Sequence, residues 1–337
     1  MALVKGVRLC RGRYQISRLL ARGGFGFIYL AHDTLTDQQV ILKEMIPALV
    51  SDVEIVRRFI REGRTLQRLK HPNIVRAGAM FRENSNYYLV LEYLEGGSLA
   101  DWLRRGQGIS LNQAITIILA LCHAVGYLHE MGIVHCDLQP GNVLFDKFGQ
   151  PRLIDLGIAH ISDSLVHRTW QTEDNLAIGT VFYMSPEQLR GIRNDPRIDL
   201  YTLGVLLYEM LAGRHYLNFD LRNTPAARAD NINKVLTDLP MPIKGVPDEV
   251  NRVILRALSK LPPDRHPNVR TFAHELTQVS LPYLSPADAI YLASLGAEPR
   301  AQVIFKPQGD ELPRWAWIAL ALANAGIMTT VAVLLLM

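Results

Sequence analysis

The hydrophobic pattern of this chain changes period at Glu95-Gly96-Gly97, and that change limits the folds open to it. Ahead of it, residues 14–20, 26–32, 39–44 and 87–93 are short β-type runs separated by turn residues. The helical pattern of residues 55–69 interrupts them and is closed by His71-Pro72. Behind the glycines, residues 111–131 and 198–212 repeat their apolar positions at the helical period. Strands first and helices after predict an α+β chain, a small β-rich lobe joined to a larger helical one. The 337 residues, 49% hydrophobic and 20% charged, suffice for a large core and argue against disorder.

The last stretch has a different character. Residues 315–337 carry no charged side chain, and a bilayer core needs about 20 apolar residues in a helix. Trp315 and Trp317 stand at its start, where aromatic rings favour the interface. A transmembrane helix is expected here, preceded by a proline-containing juxtamembrane linker over residues 281–313. Arg300, Lys306 and Arg314 lie on its N-terminal side and place the preceding domain in the cytosol. The N-terminus has no apolar run of signal-peptide length, consistent with that orientation. Cys10, Cys122 and Cys136 are far apart, with no C-x-x-C pair, so neither a disulfide framework nor a zinc site is expected. The net charge of +4 is mild, and the run Arg57, Arg58, Arg61, Arg64, Arg68 and Lys70 reads as a solvated helix face. Nucleic acid is not an expected partner.

Three groups of residues carry chemistry. Arg22-Gly23-Gly24-Phe25-Gly26 lies between two strands, where glycines let backbone N–H groups approach a phosphate. A dinucleotide loop would lead into a helix and a P-loop would read G-x-x-x-x-G-K-[ST], and neither is present. Lys43 follows on an apolar strand, where a solvent-facing lysine is the ordinary outcome. However, Phe59, Glu62, Leu66 and Leu69 share one helix face, so Glu62 is carried inward and needs a cation, for which Lys43 is the candidate. Such a pair beside a phosphate loop can hold the α- and β-phosphates of a nucleotide. Finally, His135-Cys136-Asp137-Leu138-Gln139-Pro140-Gly141-Asn142 is followed by Asp155-Leu156-Gly157. Phosphoryl transfer needs an acceptor for the hydroxyl proton, a role for Asp137, and oxygen ligands for Mg²⁺, a role for Asn142 and Asp155.

In this order, and with Ser185-Pro186-Glu187 downstream, these motifs resemble a eukaryotic-type serine/threonine protein kinase, most like the bacterial membrane-anchored ones. The resemblance covers residues 12–280 and implies a bilobal fold, with a smaller lobe over 12–94, a larger one over 97–280 and ATP between them. It implies a nucleotide site lined by Leu20, Ala21, Gly23, Gly24, Phe25, Gly26, Ile28 and Lys43, with backbone groups of Glu92 and Leu94, after Leu91, on the adenine. It further implies that Asp199 and Gly204 support the loop around Asp137, that Arg265 pairs with Glu187, and that Mg²⁺ (or Mn²⁺) is required. Pro140 and Thr180 are similar to the serine/threonine class. Protein substrates, dimerisation for autophosphorylation, with Thr169 and Thr172 as candidate sites, and a bilayer contact through 315–337 follow as expectations.

The sequence departs from that pattern at four places. Ala21 stands where a first loop glycine is usual, and Cys136 replaces an arginine that receives a phosphorylated activation segment. Gln139 stands where a lysine reaches the γ-phosphate and brings a neutral donor instead. Gly63 weakens its helix by roughly 1 kcal/mol against alanine and would ease its displacement. A membrane-anchored pseudokinase acting as a nucleotide-binding scaffold is the competing class, but such scaffolds usually lack the lysine, the catalytic aspartate or the metal-binding aspartate, and Lys43, Asp137, Asn142 and Asp155 are all present here.

Overall fold

The computed structural model describes residues 2–22, 26–46, 49–104, 109–155 and 180–283. Residues 284–337, and with them most of the expected linker and the whole apolar run, lie outside the described residues, as do Thr169 and Thr172.

Six antiparallel strands form the smaller lobe: β1 (Arg8–Leu9), β2 (Tyr14–Arg22), β3 (Gly26–Asp33), β4 (Gln38–Met45), β5 (Ala77–Glu83) and β6 (Asn86–Glu92), in the spatial order β1-β2-β3-β4-β6-β5. The sheet starts ahead of residue 12, because Leu9 pairs with Tyr14 and is fully buried. Alternation along β4 sends Val40 and Leu42 to one face and Met45 to the other. The first face carries Tyr14, Ile16, Phe27, Tyr29, Ala31, Tyr88 and Val90 and is covered by Ala2, Leu3, Val7 and Cys10. The second packs on α1 (Val53–Arg68) through Phe59 and Leu66.

Helix α1 begins two residues earlier than the apolar period suggests. Asp52 caps it, its carboxylate accepting from the amides of Glu54 and Ile55. Gly63 has a packing reason: a Cβ there would meet Met80 Sδ at 3.0 Å and Cε at 3.1 Å. The glycine lets α1 settle close on the sheet, so it is an approach point and not simply a weak one.

Residues 93–98 join the lobes. The Gly96 amide donates to the Phe145 carbonyl at 2.8 Å, and a Cβ on Gly96 would lie 2.7 Å from Phe145 Cβ. Only glycine lets this connector lie flat on the short ribbon of β7 (Val143–Phe145) and β8 (Pro151–Leu153).

The larger lobe contains α2 (Leu99–Arg104), α3 (Leu111–Glu130), α4 (Pro186–Leu189), α5 (Arg197–Ala212), α6 (Pro225–Thr237), α7 (Asp248–Ala257) and α8 (Val269–Ser280). Among the described residues α3 alone is long and apolar enough to cross a membrane, but it is mostly buried and forms the lobe's core with α5, α7 and α8. Ser110 caps its start, and α5 stops at Gly213, whose φ of 68° is the left-handed conformation that ends a helix. The two lobes are those expected from the change of period at Gly96-Gly97.

Candidate active site

Strands β2 and β3 are joined by a segment, Gly23, Gly24 and Phe25, that lies outside the described residues. On either side of it, Ala21 pairs with Ile28 and Arg22 with Phe27, and Leu20 is exposed at the same strand end. Gly26 itself serves the sheet. A Cβ there would sit 2.3 Å from the Glu44 carbonyl oxygen, so β3 can lie this close to β4 only with glycine at that position.

Lys43 projects from β4 toward α1, and its ammonium lies 2.9 Å from Glu62 Oε1 and 2.6 Å from Asp155 Oδ1. Glu62, 7% exposed, is carried there by the helix face it shares with Phe59 and Leu66. Asp155 arrives from the end of β8 with φ 56°, a left-handed backbone that turns its carboxylate toward the strand. Burial works against charge on Lys43 and Glu62. For Lys43 the two carboxylates outweigh it, and its affinity for the proton rises. The cation likewise holds Asp155 below its ordinary range, whereas burial pushes Glu62 up to about 7. One ammonium therefore serves two carboxylates, and Glu62 is the one that remains poorly compensated.

Residues 135–142 form the facing loop, and Asp199 on α5 fixes its start. The carboxylate of Asp199 accepts the amides of His135 and Cys136, each at 2.8 Å, and contacts His129 Nε2 at 2.8 Å. Cys136 takes φ 61°, a conformation uncommon outside glycine, and the two anchored amides hold it there. Its thiol is buried, points to the Arg193 carbonyl at 3.3 Å, and is raised well above its ordinary value by burial and by Asp199. This is a structural thiol and not a reactive one. Gln188 Nε2 donates to the Cys136 carbonyl at 2.8 Å, so α4 braces the loop from outside.

Beyond Cys136, Asp137 and Asn142 meet. Asn142 Nδ2 donates to the Asp137 carbonyl at 2.8 Å and to its carboxylate at 3.0 Å. The Asn142 carbonyl in turn accepts the Ile154 amide at 2.9 Å, which ties the loop to the strand leading to Asp155. Gln139 Nε2 approaches Asp137 Oδ1 at 3.3 Å. With its Nδ2 committed, Asn142 keeps an oxygen for a cation, and Asp155 adds a half-exposed carboxylate, a donor set that suits a hard ion such as Mg²⁺.

Glu92 and Leu94 border this region at the start of the connector. The Glu92 amide donates to the Arg76 carbonyl at 3.0 Å, and its carboxylate is held by Arg76 and, at 3.5 Å, by Arg152. Below the loop, Arg265 is fully buried and makes a bidentate pair with Glu187 at 2.6 and 2.8 Å. Its guanidinium also donates to the Arg197 carbonyl and lies over the Tyr201 ring, 4.8 Å from its centroid. The contacts of His129 and Gln188 were not visible in the sequence. Only the folded loop gives them partners.

Comparison with known proteins accords with this geometry. Residues 14–278 match the family described as Protein kinase domain. The chain is 34% identical over 255 residues to serine/threonine-protein kinase PrkC of Bacillus subtilis, covering 76% of this chain and 38% of that protein. It is 31% identical over 325 residues to serine/threonine-protein kinase pkn3 of Myxococcus xanthus, covering 90% of this chain and 58% of the relative. These curated relatives are thus considerably longer than the part this chain matches. The crystal structure of the PknI kinase domain of Mycobacterium tuberculosis, C20A_R136A double mutant, superposes with a TM-score of 0.61 at 24% identity, covering 82% of this chain and 99% of that one. The matched family spans both lobes and every element that bears Lys43, Glu62, Asp137, Asn142 and Asp155, and the chain therefore belongs to the protein kinase domain family.

Proposed function

We propose that this protein transfers the γ-phosphoryl group of ATP to serine and threonine hydroxyls of proteins. The observation that carries the reading is the Lys43–Glu62–Asp155 cluster facing the hydrogen-bonded Asp137–Asn142 pair. Lys43, steadied by Glu62, holds the α- and β-phosphates. Leu20, Ala21, Gly23, Gly24, Phe25, Gly26 and Ile28 form the cover over the nucleotide, and Glu92 and Leu94 border its base. Asn142 and Asp155 would hold the divalent cation, which would supply charge neutralisation at the phosphates. Asp137 orients the acceptor hydroxyl and takes its proton, and Gln139 donates toward the transferred group. The names of the bacterial relatives support the serine/threonine class, as do Pro140 and Thr180 in the sequence.

In the same reading the apolar run 315–337 anchors the domain to the cytoplasmic face of a membrane, and autophosphorylation proceeds between two copies. The support for the anchor is the uncharged sequence and its flanking tryptophans and basic residues.

The test is incubation of purified protein with γ-labelled ATP, Mg²⁺ or Mn²⁺ and a generic protein substrate, followed by phosphoamino-acid analysis. Phosphoserine and phosphothreonine are expected, in the substrate and in the protein itself. Nucleotide binding without incorporation under either metal would replace the enzyme with a nucleotide-binding scaffold.

A further inference from the structure

Lys43 has a neighbour whose position the reaction does not explain. Glu44 follows it on β4, points to the opposite face of the sheet, and is only 3% exposed. Its surroundings are the apolar layer of Val40, Leu42, Tyr29, Tyr88 and Val90, where an acidic side chain is costly. Among the described residues no cation pairs with it. Its oxygens are instead met by neutral donors from both flanking strands. Tyr29 Oη on β3 donates to Oε2 at 2.7 Å, while Tyr88 Oη and Asn86 Nδ2 on β6 donate to Oε1 at 2.9 and 2.8 Å. Asn86 Nδ2 also donates to the Met45 carbonyl at 3.0 Å. Burial, with the bonds to Glu44 adding to it, raises both phenols above their ordinary range, so each remains a donor.

The arrangement clamps the C-terminal end of β4 between β3 and β6 at the residue next to Lys43. It also reaches the N-terminal segment, since the Leu3 amide donates to Tyr29 Oη at 3.0 Å. The ammonium of Lys43 has to meet Glu62 and Asp155 at the same time, within 2.9 and 2.6 Å. Its strand therefore tolerates little displacement there, and a shift of about 1 Å in a supporting group can cost on the order of 100-fold in a reaction.

We propose that Glu44 is a positioning residue for Lys43, fixing the end of β4 through Tyr29, Tyr88 and Asn86 from the face opposite the nucleotide. The inference rests on the kinase reading above. A cluster that merely stabilises the lobe would lower the folded fraction without regard to Lys43, and this difference can be measured.

The experiment is a calorimetric titration of the full chain with Mg²⁺-ADP. The variants are Glu44→Ala, Glu44→Gln and the pair Tyr29→Phe with Tyr88→Phe, each with and without Lys43→Met. With Lys43 present, Glu44→Ala and the tyrosine pair are expected to weaken binding about fivefold or more, a coupling of ordinary size for groups in one network. In the Lys43→Met background the same changes should cost less than about twofold, and Glu44→Gln, which keeps an acceptor and the shape, should stay within about threefold of wild type. The KM for a protein substrate should not move. Should Glu44→Ala fail to fold, the tyrosine pair, which removes only two hydroxyls, carries the comparison. Equal losses in both backgrounds, or no loss when Lys43 is present, would overturn the proposal. A wild type that binds no nucleotide would remove the kinase reading and this inference together. One that binds without transferring phosphate would remove only the catalytic reading.

Discussion

The ammonium of Lys43 lies 2.6 Å from Oδ1 of Asp155, a residue 112 positions further along the chain. This contact joins the two lobes across the site and competes with Glu62 for the same cation. The site is therefore held by one cation shared between two carboxylates. Burial, with Asp155 sharing the same cation, pushes Glu62 up to about 7 from an ordinary 4.5.

A pH dependence follows from that shift. Folded Glu62 keeps its proton to higher pH than unfolded Glu62, so its contribution to stability is complete below the unfolded value. It falls as pH rises from about 4.5 and is lost above about 7. Urea unfolding of wild type and Glu62→Gln at about pH 5 and about pH 8 should show wild type losing stability relative to the variant as pH rises. The opposite slope would mean that Lys43 favours Glu62 over Asp155.

Breaking the Arg265–Glu187 pair should be severe. Arg265→Met leaves the Glu187 carboxylate buried without its cation, and such a change costs about 3–5 kcal/mol. The denaturation midpoint should fall accordingly. A loss below about 1 kcal/mol would show that α4 can relax to bring Glu187 to water.

Gly63→Ala sets a helix gain of roughly 1 kcal/mol against a close contact with Met80. The contact should prevail in catalysis, because pushing α1 outward lengthens the Lys43–Glu62 distance. Phosphate transfer should fall about tenfold in the single variant and recover when Met80→Ala opens the space. Equal rates in Gly63→Ala and wild type would show that the thioether moves aside without disturbing α1.

Gln139→Lys should raise turnover about tenfold with little change in ATP affinity, since about 1.4 kcal/mol at the barrier is a factor of ten. A cation stabilises developing phosphoryl charge better than the neutral amide now 3.3 Å from Asp137. A variant no faster than wild type would show that the missing charge is supplied elsewhere.

Much of this was legible in the sequence because it depends on local periodicity and spacing. The face shared by Phe59, Glu62, Leu66 and Leu69 is enough to send Glu62 inward, and the change of period at Gly96-Gly97 marks the joint between the lobes. What was not legible depends on tertiary approach. Gly26 reads as part of a phosphate loop, yet the Glu44 carbonyl also requires it. Gly63 reads as a weak point in a helix, whereas the Met80 thioether packs close against the place where a Cβ would stand. Strand alternation alone cannot say that Glu44 is buried, since the donors that compensate it come from β3 and β6. Asp52, an N-cap residue type ahead of the helical pattern, marks the start of α1 in the sequence itself.

On the proposed function, Asp137 drives phosphoryl transfer in a site that binds ATP through other groups. The most direct measurement compares wild type with Asp137→Asn in two assays, Mg²⁺-ATP affinity by titration and phosphate incorporation into serine and threonine. Asp137→Asn should keep an affinity within about threefold of wild type and show a transfer rate lower by about a thousandfold or more, near the upper range for one acid–base group. Comparable transfer rates in the two proteins would contradict it.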